Sequence, residues 1–242
     1  MRTITIGDIH GCSKALDRLI GEIKPRAYDR LIFLGDYVDR GPDSKGVIER
    51  LLDLRKRCNT ICLLGNHEII FRSVVAGFPV ESWLAIGGLQ TLASYGGALK
   101  NVPLDHIEFL CGLRPYFESD QALFIHANYD ANLPLSEQSE QKLFWEHLGA
   151  SIPGPHYSGK HVYLGHTPRT CGEVGHFGHL TCVDTFCVGG GWLTAIEVES
   201  GEIWQVSQKG RLRKNWRIME LLRKKLGAFR VRTLLRPHTS AR

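Results

Sequence analysis

Short apolar runs alternate with helical stripes along the first third of the chain, and each run stops at a polar loop. Thr3 to Gly7 reads as a strand. Asp8-Ile9-His10-Gly11 follows, then Ser13 to Lys24, where Leu16, Leu19, Ile20 and Ile23 fall at helical spacing behind Ser13 as N-cap. Leu31 to Leu34 repeats the strand, Gly35 to Asp43 the loop, and Ser44 to Arg57 the helix, with Val47, Ile48, Leu51, Leu52 and Leu54 as its stripe. The third unit runs from Thr60 to Leu64, through Gly65-Asn66-His67-Glu68, into a helix from Ile69. Three strand-loop-helix units in succession predict a largely parallel sheet with right-handed crossovers, which brings the three loops to one rim.

The pattern then changes. Trp83 to Tyr95 reads as a helix interrupted at Gly87-Gly88, a helical insertion over the sheet. Ala122 to Ile125 returns as a strand ending in His126-Ala127-Asn128, and Glu137 to Leu148 is expected to be helical with Leu143, Phe144 and Leu148 inward. His161 to Leu164 is a strand ending in Gly165-His166. Leu180 to Asp184, Leu193 to Glu199 and Glu202 to Val206 are short strands, the last two joined as a hairpin at Ser200-Gly201. The polar side chains at the carboxyl ends of these strands are where an open α/β sheet collects ligands.

Composition narrows the class. With 242 residues and 43% hydrophobic content, one domain with one good core is expected. The first residues lead straight into a strand and no apolar run approaches a membrane span, so the expectation is a soluble, cytoplasmic protein. The seven cysteines are scattered without any Cys-x-x-Cys pair, which indicates neither a disulfide framework nor a zinc ribbon. Charge is unevenly spread: from Lys209 to Arg242 there are twelve Lys and Arg against the single acid Glu220, while the rest of the chain is net acidic. The sequence therefore divides into residues 1–208 and a basic tail, 209–242.

The strand-end residues Asp8, His10, Asp36, Asn66, His126 and His166 offer carboxylate, amide and imidazole. This set suits a hard to borderline divalent ion, Mn²⁺ first and Fe²⁺ or Zn²⁺ after it. Six donors exceed the needs of one open site, whereas two ions sharing one carboxylate would use them all, with Asp36 the natural bridge. Arg40 provides a rigid fork for an anionic oxygen, which points to a phosphate substrate.

At these residues the chain resembles the calcineurin-like metallophosphoesterases of the phosphoprotein phosphatase type. Their three signature boxes stand here as Gly7-Asp8-Ile9-His10-Gly11, Gly35-Asp36-Tyr37-Val38-Asp39-Arg40-Gly41 and Gly65-Asn66-His67-Glu68, with His126 and Gly165-His166 following in order. Val183-Asp184-Thr185, Gly189-Gly190 and Leu193-Thr194-Ala195 are similar to the family's terminal strands, so the likeness covers about residues 4 to 206. The resemblance implies an α/β fold, a sandwich of two mixed β-sheets flanked by helices, with a small helical insertion. It implies one metal on Asp8, His10 and Asp36 and another on Asp36, Asn66, His126 and His166. It also implies a hydroxide shared by the two metals that attacks phosphorus directly, Arg40 and Asn66 on the phosphoryl oxygens, and His67, oriented by Asp39, as acid for the leaving group.

The resemblance implies a phosphorylated protein or a small phosphoester as substrate. Glu68 and the Val38-Asp39-Arg40 run favour a serine/threonine protein phosphatase similar to bacterial and phage members. The alternatives are a symmetrical dinucleoside tetraphosphatase and a basic-tail binding protein with a vestigial metal site. Two positions depart from the family pattern. Trp145-Glu146-His147 has His147 where many protein phosphatases carry a second phosphate-binding Arg, a role left to a residue such as Arg169. Phe186 and Val188 replace the Gly and Tyr that often follow Asp-Thr. His106, His156, His161, His176 and His179 fall outside the strand-end boxes and read as surface or packing residues, and Cys12 as a small buried filler. No organic cofactor is indicated, since Gly189-Gly190-Gly191 lacks the context of a nucleotide fingerprint. In the tail, Trp216, Met219, Leu222, Leu226 and Phe229 share one helical face. A solvated or partly docked helix is the plain reading, and attraction to an anionic membrane or nucleic acid the sharper one.

Overall fold

The computed structural model describes residues 1–149 and 151–213; the tail face from Trp216 to Phe229 lies outside the described residues. Residues Met1–Leu212 form one compact unit. No described helix is long and apolar enough to cross a membrane.

The three leading units form as the periodicity predicts. Strands β1 (Thr3–Ile6), β2 (Arg30–Phe33) and β3 (Asn59–Cys62) pair in parallel, with helices α1 (Ser13–Ile23) and α2 (Ser44–Arg57) in the crossovers. Strand β1 is buried along its whole length, as expected for a strand covered on both faces. The sheet is completed by β9 (Trp192–Glu197) and β10 (Ile203–Ser207), antiparallel to each other, in the order β10-β9-β1-β2-β3. A second sheet has the order β4-β5-β6-β8-β7, built from β4 (Tyr116–Glu118), β5 (Ala122–Ile125), β6 (His161–Leu164), β7 (Gly175–His176) and β8 (Leu180–Cys182). Here β5, β6 and β8 are parallel while β4 and β7 run against them. Two mixed sheets flanked by helices are thus the observed architecture. Ile4, Ile6 and Phe33 of one share a core with Leu123, Ile125 and Leu164 of the other.

Three expectations are corrected. Ser13 does not cap α1; Cys12 holds the cap position without a side-chain bond, and Ser13 is already helical. Helix α3 (Asn66–Val75) begins three residues before Ile69, because Glu68 reaches back to accept the Gly65 N–H at 3.1 Å, a favourable N-terminal closure. The helix expected from Glu137 to Leu148 shrinks to the short turns Leu135–Glu137 and Gln141–Trp145. There the Lys142 and Leu143 carbonyls accept the N–H groups of Asn128 and Ala127, both at 2.9 Å, which removes them from any helical ladder.

The insertion is helical and broken where the glycines are. Gly87 takes φ 122 inside the run. A Cβ there would lie 2.5 Å from the Arg40 amide nitrogen, which donates to the Gly87 carbonyl at 3.0 Å. Only glycine combines that dihedral with that approach. The break in the insertion is therefore what lets it press against the Arg40 backbone.

Candidate active site

Five strand ends, three from one sheet and two from the other, meet at the same place. Asp8 follows β1, Asp36 follows β2, Asn66 and His67 open α3 after β3, His126 follows β5, and His166 follows β6. The two sheets are joined at these ends: the His126 Nδ1–H donates to the Leu34 carbonyl at 2.8 Å, and the His166 backbone N–H reaches both Asp8 carboxylate oxygens at 3.1 and 3.0 Å.

All nine residues singled out by the sequence lie in this region. Asp36 is central: its Oδ2 is 3.4 Å from His10 Nε2 and its Oδ1 is 3.4 Å from His126 Nε2. Among the described residues, two groups of potential ligand atoms, His10–Asp36–His67 and Asp36–His126–His166, each fit within 4.8 Å, with Asp36 in both; the expected ligand Asp8 falls in neither, its carboxylate accepting the His166 N–H instead. Asn66 Oδ1 stands 3.1 Å from His126 Nε2, and Arg40 Nη1 stands 3.0 Å from His10 Nε2. Arg40 is exposed, whereas Asp8, His10, Asp36, Asp39, Asn66, His67, His126 and His166 are buried.

Hydrogen-bond partners fix the tautomers. His10 Nδ1 gives its proton to the Val38 carbonyl at 2.9 Å and His126 Nδ1 gives its proton to Leu34, so both rings turn an Nε2 lone pair toward Asp36. His166 Nε2 faces the Trp145 carbonyl at 3.2 Å, which leaves Nδ1 as its free ligand atom. Burial disfavours the charged form of these imidazoles: His10 is pushed down to about 3, His166 to about 3 with His126 adding to the effect, and His126 is lowered as well. Carboxylate oxygen, amide oxygen and imidazole lone pairs therefore face one another at 3.1–3.4 Å with no proton to share. Acceptors converge on acceptors only where a cation reconciles them, so the donor set fits divalent ions.

The acids respond to the same crowding. Asp8 is driven well above its ordinary range by burial and by the charges of Asp184 and Asp36. Burial raises Asp36 too, but the imidazoles of His126, His67, His10 and His166 outweigh it and hold this carboxyl far below the usual range. Asp184 is pushed up to about 7, chiefly by burial, and Asp36 adds to the rise.

His67 is anchored from behind. Its Nδ1 lies 2.7 Å from Asp39 Oδ2, and Asp39 is in turn gripped by the Trp83 indole N–H at 2.9 and 3.0 Å and by the Thr91 hydroxyl at 2.7 Å. Burial alone would lower His67, yet Asp36 and Asp39 prevail and its pKa lies above the ordinary value. An imidazole with one nitrogen committed to a carboxylate is oriented so that the other can exchange a proton at the rim.

Backbone strain concentrates here. Among the described residues, five of the seven non-glycine positive-φ positions are His10, Asp36, Asp39, Arg40 and His166, with φ between 44 and 69°. Each such conformation costs about 1–3 kcal/mol and persists where surrounding bonds over-determine it. Glu68 is the main restraint. Its buried carboxylate accepts the N–H groups of Asp36 at 2.9, Tyr37 at 2.7, Val38 at 3.2 and Gly65 at 3.1 Å. Glu68→Gln keeps the shape but turns an NH₂ group toward these donors, so a loss of about 2–3 kcal/mol is expected in urea unfolding. A loss under about 0.5 kcal/mol would show that the loop holds itself.

Sequence reasoning missed three participants. Asp184 follows β8 by the same strand-end rule as the others, and that signal could have placed it at the rim. Trp83 and Thr91 sit in the insertion, where no local signal ties them to Asp39. His147, noted for replacing an arginine, stacks on His166 with centroids 4.2 Å apart. His106 instead bonds Tyr95 at 2.8 Å and His156 the Leu133 carbonyl at 2.9 Å, away from the rim.

The rim thus holds a buried cage of imidazoles and carboxylates, a histidine anchored to Asp39 beside it and an exposed guanidinium at its mouth. The chain belongs to the calcineurin-like phosphoesterase family, whose profile matches residues 1–196. It is 32% identical over 163 residues to the symmetrical bis(5'-nucleosyl)-tetraphosphatase of Coxiella burnetii, a match covering 64% of this chain and 50% of that protein. The chain thus spans about half the length of that relative. It is 28% identical over 239 residues to the asymmetrical bis(5'-nucleosyl)-tetraphosphatase PrpE of Oceanobacillus iheyensis, covering 86% of this chain and 93% of that one. A crystal structure of a candidate diadenosine tetraphosphatase superimposes with a TM-score of 0.65 at 25% identity, covering 85% of this chain and 92% of the other.

Proposed function

We propose that this protein hydrolyses dinucleoside polyphosphates, the reading kept second to protein phosphatase on sequence grounds. The observation that carries it is the likeness to PrpE, which runs over 86% of this chain and 93% of a protein named as a tetraphosphatase. The two curated relatives bear symmetrical and asymmetrical names, so the proposal is the substrate class, not the bond cleaved.

In this reading Asp8, His10 and Asp36 would hold one divalent ion, and Asp36, Asn66, His126 and His166 the other, manganese being the first choice for the donor set. Ions bound there supply Lewis acidity and lower the pKa of water. The protein's own groups do the rest. Arg40 and Asn66 orient phosphoryl oxygens, Arg40 from the exposed mouth. His67 brings a proton to the departing oxygen, and Asp39, fixed by Trp83 and Thr91, keeps the ring turned that way.

The test is Mn²⁺-dependent turnover of diadenosine tetraphosphate, phosphoserine and phosphothreonine peptides, and p-nitrophenyl phosphate in parallel. The tetraphosphate is expected to have the highest kcat/KM. Peptides hydrolysed faster than the dinucleotide would overturn the reading in favour of protein phosphatase, and inactivity on every member would favour a binding role.

A further inference from the structure

Beside the cation cage lies a cavity of 850 Å³, large enough to bury a nucleotide, lined among others by Lys14, Arg40, Gln90, Gln208 and Lys209. Arg40 belongs to both places: its Nη1 is 3.0 Å from His10 Nε2 and its side chain walls the cavity. A group held on Arg40 can therefore extend in one direction to the cage and in the other into the cavity.

We propose, resting on the dinucleoside polyphosphate reading, that this cavity seats the part of the substrate beyond the attacked phosphorus: the remaining phosphates and their nucleoside. Three cationic side chains around one cavity exceed what a single phosphoryl group needs and match a chain of several. Lys14 stands in the first turn of α1, whose eleven residues carry no acid in that turn and no side-chain cap, so the helix end adds positive potential to the lysine. One carboxylate also lines the cavity, Asp43, but its Oδ1 accepts the Gly46 N–H at 2.9 Å as the cap of α2. Gln90 and Gln208 offer amide donors and acceptors of the kind that read a base edge. The cleaved end of the substrate is thus recognised by the cage and the distal end by residues from three separated parts of the sequence.

The full chain, loaded with Mn²⁺, carries the test. Lys14 and Lys209 are exposed and lie outside the cage, so the double variant Lys14→Ala/Lys209→Ala is expected to fold and to keep its kcat and KM for p-nitrophenyl phosphate. ATP, assayed as a competitive inhibitor of that reaction at fixed free Mn²⁺, is expected to bind about tenfold more weakly to the variant, while inorganic phosphate inhibits both proteins equally. Lys14→Glu should weaken ATP further. Unchanged ATP inhibition would overturn the assignment, and so would an equal loss for ATP and phosphate, since that places the effect in the cage. Whether the wild type cleaves diadenosine tetraphosphate is read separately. Failure there removes the substrate reading, while the ATP comparison still decides whether the cavity takes a nucleotide.

Discussion

Replacing His67 by Asn is expected to cut kcat by about 10²–10⁴ on substrates whose leaving group is a strongly basic alkoxide, and far less on p-nitrophenyl phosphate. The reasoning starts from the ring's surroundings. Asp39 takes one imidazole nitrogen at 2.7 Å, and Asp36 and Asp39 keep the pKa above its ordinary value despite burial, which favours the protonated ring. An alkoxide cannot depart without that proton, whereas nitrophenolate can. A nucleoside polyphosphate leaving group is also weakly basic, so the dinucleotide should resemble nitrophenyl phosphate more than a phosphoserine peptide does. The measurement is kcat for the wild type and His67→Asn across a leaving-group series, with metal content checked because His67 borders the cage. A loss of the same size for every leaving group would remove the acid role and leave His67 as a positioning residue.

The second large effect concerns the cations themselves. Asp8, Asp36 and Asp184 are buried together, and burial with mutual repulsion raises Asp8 and Asp184 above their ordinary range. Divalent ions that bind only the folded state should stabilise it by about 2.7 kcal/mol at a hundred times Kd. For a chain of this size that corresponds to a rise in Tm of roughly 5–10 °C. Asp36→Asn, which removes the carboxylate common to both ligand sets, should abolish the Mn²⁺-dependent rise and lower kcat/KM by about a thousandfold or more. Chelator-treated wild type should match the variant in both respects. A full Mn²⁺-dependent rise in Asp36→Asn would show that the ions bind elsewhere.

Both expectations depend on the same buttressing. Glu68 ties four backbone N–H groups across two loops, and the Trp83–Thr91 pair clamps Asp39 from the insertion. Strain at Asp36, Asp39 and Arg40 is thus offset by bonds that come from other elements. Substitutions at these supports should lower activity without touching the cage, which separates the positioning of the acid from ligation of the ions.

The sequence by itself determined the strand ends and what stands on them. Period-two and period-3.6 patterns are short-range, and a parallel sheet with one-handed crossovers turns them into a common rim, so the strand-end places of Asp8, Asp36, Asn66, His126 and His166 are legible in the sequence. Tertiary structure decided what no local pattern encodes. It chose which nitrogen of His10, His126 and His166 faces inward, because carbonyls of Val38, Leu34 and Trp145 fix the other. It brought Trp83 and Thr91 to Asp39 across more than forty residues, through a helix that breaks at Gly87. It melted the expected helix after Glu137, since Ala127 and Asn128 claimed its carbonyls. In each case a hydrogen bond between distant segments outweighed or completed a local preference. Such bonds depend on where the whole chain has gone, which neighbouring residues in sequence cannot report.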